Sequence, residues 1–186
     1  MCALCYKLYV NSSDNSHIIE EIVPYLSDRL KDSDASVKMT AISTIYEISK
    51  IDQSLFVVTI PVLYQMLGEV SNNWVLIKII KLLTEFCMVE PRLKLKLRPK
   101  FYDLLDSQKA RSVQFEIIKS SLVLFRDIGD VLSDEIDVYN FALQKLSTDF
   151  VEQKDPNLRY LGLCTLETVL DEKTKQLFAP KLLLKF

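Results

Sequence analysis

Cys2 and Cys5 have the CxxC spacing used by redox and zinc sites. No second CxxC follows and no βαβ pattern surrounds the pair, so on a helix the two reduce to small apolar side chains on one face. His17 is the only histidine, and a Ser-His-Asp triad would have to be built around it. It stands between Ser16 and Ile18 in a polar approach to a helix and reads as a helix-start residue. The acidic pairs Glu20 and Glu21, Asp134 and Glu135, and Asp171 and Glu172 could supply a general acid and base. Neighbouring residues on a helix diverge by about 100°, however, and these pairs fall in polar turns or first turns, where carboxylates favour the dipole. Only three glycines occur, Gly68, Gly129 and Gly162, so there is no phosphate-cradling loop. The expectation is no catalytic residue, no cofactor, no metal, no small-molecule substrate and no enzyme.

Two features carry binding instead. Arg92, Lys94, Lys96, Arg98 and Lys100 place five cations in nine residues of a chain whose 23 basic and 25 acidic residues otherwise nearly balance. Their alternation would suit a strand, but the wider pattern sets them at the end of a turn and in a helix, where Arg92, Lys96 and Lys100 share one face. That stripe would meet anionic lipid headgroups or an acidic partner, against the plainer reading of a solvated face. Trp74 opens a helix and reads either as an interface anchor or as packing against a neighbouring repeat. The net charge of −2 gives no drive toward nucleic acid.

The elements that position these residues repeat. Pro24, Pro61 and Pro99 recur after 37 and 38 residues, and Pro180 after 81 more. Apolar residues follow each proline at two and six positions: Leu26 and Leu30, Leu63 and Leu67, Phe101 and Leu105, Leu182 and Phe186. A unit without its proline fits near Asn140, with Ala142 and Leu146. Between prolines lies a second helix with apolar residues at i, i+4, i+8 and i+11. Its columns are Val37, Ala41, Ile45, Ile48; Val75, Ile79, Leu83, Phe86; Val113, Ile117, Ser121, Leu124; and Leu158, Gly162, Leu166, Val169. Ser121 is expected to satisfy its hydroxyl on the preceding turn. Asp34, Asn72 and Asp155 supply N-cap acceptors, the last before Pro156 at a first helical position. Pro24, Pro61 and Pro99 are each expected inside a helix, at about 3 kcal/mol in an ordinary one, which argues for kinked first helices.

The fold expected is all-α, a right-handed α-α superhelix of the HEAT/armadillo type with about four helix pairs, approximately 16–50, 52–88, 91–127 and 133–171, and the start of a further repeat at 173–186. The 49% hydrophobic content is ample for a core. The longest apolar stretch, Trp74 to Val89, is interrupted by Lys78, Lys81 and Glu85, so no membrane span is expected. The opening MCALCYKLYV lacks the features of a signal peptide, Asn11-Ser12-Ser13 is a chance sequon, and four dispersed cysteines suit a reducing cytosol. Met1 to Val10 and Leu177 to Phe186 carry apolar residues all round and are expected to promote self-association.

Three strings go beyond repeat character. SNNWVLIKIIKLL (Ser71 to Leu83), VEPRL (Val89 to Leu93) and DPNLRYLGL (Asp155 to Leu163) resemble, in order and spacing, the trunk of the large adaptins, above all those of the delta type in adaptor protein complex 3. LKDSDASVKMTAISTIYEISK (Leu30 to Lys50) is similar to the repeat before them. The NLRYLGL string is general to large adaptins, and NNWVLIKIIKLL leans to delta. The resemblance implies a structural, protein-binding segment of a heterotetrameric vesicle-coat adaptor, part of a longer trunk that carries a hinge and an ear. It further implies a second large, a medium and a small subunit as partners, recruitment by an Arf-type GTPase, and a cytoplasmic place on Golgi or endosomal membranes serving lysosome or vacuole transport. Without the strings, a generic HEAT scaffold such as a nuclear transport receptor or phosphatase regulatory subunit stays open.

Overall fold

The computed structural model describes residues 1–11, 16–126 and 137–169. Among them the secondary structure is helical, with α1 (Cys2–Asn11), α2 (Ser16–Arg29), α3 (Ala35–Ser49), α4 (Ile60–Met66), α5 (Asn73–Val89), α6 (Leu93–Ser107), α7 (Arg111–Leu124), α8 (Val138–Leu146) and α9 (Pro156–Val169). This is the all-α HEAT/armadillo-type fold that the proline spacing and apolar columns imply. Asp134, Glu135, Asp171, Glu172, the sequon beyond Asn11, and everything from Leu177 to Phe186, with Pro180, Leu182 and Phe186, lie outside the described residues.

The helices start where the caps say. Asp34 accepts from the Ser36 amide at 2.7 Å, Asn72 from the Trp74 and Val75 amides at 3.0 and 3.3 Å, and Asp155 from the Asn157 amide at 2.8 Å. Each satisfies amides that a helix start leaves without a carbonyl. Pro24 lies inside α2 and Pro99 inside α6. Both rings are exposed, as are Glu20 and Leu95, whose carbonyls lose their helical donor, so water can replace the missing bond. Pro61 corrects the expectation of a third interior proline: α4 begins at Ile60, and a proline in the first turn gives up no donor the helix needs.

The chain forms two compact units. The first comprises Met1–Leu97 and Gln108–Glu116. In it α1 packs on α2 and α3, α2 on α3, α3 on α5, and α4 on α5. The core is the pair of columns Ala41, Ile45, Ile48 and Ile79, Leu83, Phe86, all fully buried, with Val75 almost so and Val37 half-exposed. Leu26, Leu30, Leu63 and Leu67 from the first helices close it. On α1, Cys2, Cys5 and Tyr9 are buried, while Leu4, Leu8 and Val10 are about half exposed.

The second unit comprises Arg98–Ser107 and Ile117 onward. Phe101 meets Phe125 edge to face, with centroids 6.3 Å apart, and Tyr102 stacks obliquely on Phe141 at 4.6 Å. After α8 the chain widens into one π turn, Ser147–Val151, against which both α8 and α9 pack. Gly162 in the α9 column is required there: an added Cβ would stand 2.9 Å from Val151 Cγ2 and 3.0 Å from the Val151 backbone nitrogen. The Ser121 expectation is corrected, since its Oγ is fully buried without a hydrogen-bond partner, unlike Thr165, which bonds the Leu161 carbonyl at 2.9 Å. Its place in the column rests on small size.

Two substitutions test this packing. Ile79→Asp buries an unpaired carboxylate in the first unit and is expected to cost several kcal/mol, roughly 3 to 5, read by chemical denaturation; near-native stability would mean a wrong register. Gly162→Ala gains about 1 kcal/mol of helix propensity but overpacks the π turn by roughly 1 to 3 kcal/mol. A net loss of stability is expected on denaturant titration, with a lowered midpoint and an unchanged slope.

Candidate interaction surface

The residues that suggested chemistry are placed away from it. Cys2, Cys5 and Cys87 are buried and Cys164 half-buried, all with free thiols. Burial pushes the Cys5 thiol up and the Cys87 thiol to about 11, the nearby Lys94 opposing the latter, so both stay protonated at neutral pH and are poor nucleophiles. His17 is exposed in the first turn of α2. Among the described residues no group of three or more His, Cys, Asp or Glu could hold a metal ion.

Trp74 lies in the first turn of α5, set there by the Asn72 cap, and is 77% exposed. The reading in which it packs against a neighbouring repeat is thereby corrected. Two residues into the helix the ring has turned away from the inward Val75 and Leu76, and it borders an open depression of about 330 Å³ with Met39, Ser43 and Lys78. Lys78 Nζ donates to Ser43 Oγ at 2.7 Å, tying α5 to α3 at the same depression. Beside it, Met39, Met66, Val70 and Val75 line a second depression of about 390 Å³.

The basic segment begins in the turn after α5. Arg92 is exposed in that turn, Lys94 half-buried and Lys96 exposed in the first turn of α6, all in the first unit. Arg98 and Lys100 follow on the same helix, half-buried, in the second. Among the described residues no carboxylate pairs with Arg92, Lys94, Lys96 or Lys100. The Lys96 carbonyl accepts from Tyr64 Oη at 3.1 Å, which fixes the start of α6 against α4. Three neighbours were not singled out from the sequence: Met88, Val89 and Leu95, exposed by 70, 42 and 64%. A signal for Leu95 was present, because two residues past the buried Leu93 a helix faces the other way.

An ionic row lies on α3, α5 and α7 within the first unit. Lys50 pairs with Glu47 at 2.9 Å and Lys81 with Glu116 at 3.5 Å. Glu85 sits between them with its Oε2 buried and unpartnered. Burial raises its pKa, Lys50 and Lys81 oppose the rise, and Glu47 adds to it.

A helical-repeat protein with Trp74, Met88 and Leu95 exposed on its helices is what these features define. The chain belongs to the adaptin family, matching its N terminal region over residues 2–186. It is 43% identical over 140 residues to the AP-3 complex subunit delta of Eremothecium gossypii, covering 75% of this chain and 15% of that protein. The Saccharomyces cerevisiae AP-3 complex subunit delta is 37% identical over 135 residues, 72% of this chain and 14% of that one. The Bos taurus AP-3 complex subunit delta-1 is 28% identical over 178 residues, 96% of this chain and 14% of that one. The fold matches one chain of a homology model of the full-length AP-3 complex in an intermediate open conformation with TM-score 0.61 and 27% identity, covering 95% of this chain and 33% of that one. The chain thus spans a small part of the length of these relatives. Among the described residues no helix is long and apolar enough to cross a membrane.

The raised pKa of Glu85 fixes a sign. A carboxyl whose folded pKa lies above its unfolded value favours the fold below the unfolded pKa and loses that contribution as pH rises through the folded one. Glu85→Gln removes the buried charge, so it is expected to raise Tm relative to the parent at pH 7, with the difference shrinking toward pH 4; paired melts at both pH values check it.

Proposed function

We propose that the chain is a structural, protein-binding segment of the delta-type large subunit of a heterotetrameric vesicle-coat adaptor, acting in intracellular transport from Golgi or endosomal membranes to lysosome or vacuole. The observation that carries this is the adaptin match over residues 2–186 together with AP-3 delta relatives up to 43% identical over most of the chain. These relatives favour the adaptor over the generic HEAT scaffold of a nuclear transport receptor or phosphatase regulatory subunit. The partners are a second large, a medium and a small subunit, with an Arf-type GTPase and an anionic membrane surface as recruiting contacts. The units 16–50, 52–88, 91–127 and 133–171 are proposed as its repeats; the further one expected at 173–186 lies outside the described residues. No step of chemistry is assigned to it: the family is structural, and its work is to present surface.

Trp74 and the basic segment Arg92, Lys94, Lys96, Arg98 and Lys100 are the contact residues of this reading. An exposed tryptophan contributes large area at low entropic cost, and the cations Arg92, Lys94, Lys96 and Lys100, which no described carboxylate pairs, give the salt-sensitive part of an association. The tagged chain recovered from cells is expected to bring down small and medium adaptor subunits, identified by mass spectrometry. Recovery of Ran or of a phosphatase catalytic subunit in their place would overturn the adaptor assignment.

A further inference from the structure

The turn between α5 and α6 combines two kinds of exposure. Met88 and Val89 end α5 with 70 and 42% of their surface in solvent, and Leu95 projects from the first turn of α6 at 64%. Between and beside them stand Arg92 and Lys96, exposed and unpaired with any described carboxylate, and Lys94. Glu90, half-buried, is the acidic residue of the turn. Leu95 has no share in the core, since that face of α6 belongs to Leu93 and Leu97, which are 3 and 0% exposed.

We infer that this corner is a membrane-contact point, in which Met88 and Leu95 enter the interfacial zone of an anionic bilayer while Arg92, Lys94 and Lys96 hold lipid phosphates. The choice of lipid over an acidic peptide follows from shape and composition. A peptide is held by a groove, whereas the depressions described above contain none of these residues and the corner is a turn with side chains projecting from it. Long aliphatic stems ending in cations, set around bare apolar tips, match a bilayer surface, where the stems lie in the headgroup zone and the tips reach the acyl boundary. All these residues belong to the first unit. The inference rests on the contact reading of the basic segment and is independent of the adaptor assignment.

Vesicle flotation of the chain decides it, using phosphatidylcholine vesicles with and without phosphatidylserine as about a quarter of the lipid, at low and high salt. Binding only with phosphatidylserine is expected. The variant Arg92→Glu with Lys96→Glu, both exposed positions, is expected to weaken it by about 100-fold, with unchanged circular dichroism. Met88→Ser with Leu95→Ser is expected to weaken it about tenfold and to lose the residue of binding that the parent keeps at high salt. Equal binding by the serine variant overturns insertion, and equal binding by the charge-reversal variant, or of vesicles lacking phosphatidylserine, overturns the contact altogether. No vesicle binding, with Arg92-dependent binding to polyglutamate, assigns the corner to an acidic protein and overturns the lipid. Loss of adaptor subunits from a pull-down leaves the inference standing and bears on the adaptor assignment alone.

Discussion

The first unit depends on α3 lying against α5. Ala41, Ile45 and Ile48 on one helix and Ile79, Leu83 and Phe86 on the other are completely withdrawn from water, each large side chain contributing about 1.5 to 3 kcal/mol. Neither helix is secure without the other. At 15 and 17 residues they are near the length at which an isolated helix is marginal, and α4, at 7, is far below it. Local capping decides where each helix starts, and pairwise burial decides that it exists.

The second unit solves the same problem with different parts. Its α9 column carries glycine where α3 carries Ala41 and α5 Ile79, because Phe150 and Val151 of the π turn fill the space a side chain would have taken. One extra residue in the turn brings Phe150 and Val151 into the core, both nearly fully buried. A short aromatic cluster, Phe101 with Phe125 and Tyr102 with Phe141, does the work that aliphatic columns do in the first. Ser121 keeps its place by size while its hydroxyl goes unsatisfied, a cost that burial around it must offset.

Outside this packing several large apolar side chains stay exposed. Apolar side chains cover much of any protein surface, so a single exposed leucine has little meaning. Trp74 beside the Lys78 to Ser43 bond, and Leu95 among unpaired cations, differ because each stands on a helix start fixed by a defined contact: the Asn72 cap for one, the Tyr64 bond to the Lys96 carbonyl for the other. A preset side chain loses less entropy on binding than one on a free loop.

The all-α class, the inward columns and the helix starts were legible in the residues, because helical periodicity and N-cap chemistry act within one turn and need no knowledge of neighbours. The family was legible in NNWVLIKIIKLL and NLRYLGL for a different reason, common ancestry of the strings. What only the tertiary structure decided were matters of space between segments. Pro61 opens a helix that its spacing had put mid-helix, Ser121 finds no partner, and Gly162 faces a π turn that no periodicity signals. Trp74 turns outward, and Met88 joins Leu95 beside the basic turn, since exposure is set by which neighbours arrive rather than by the residue's own preference.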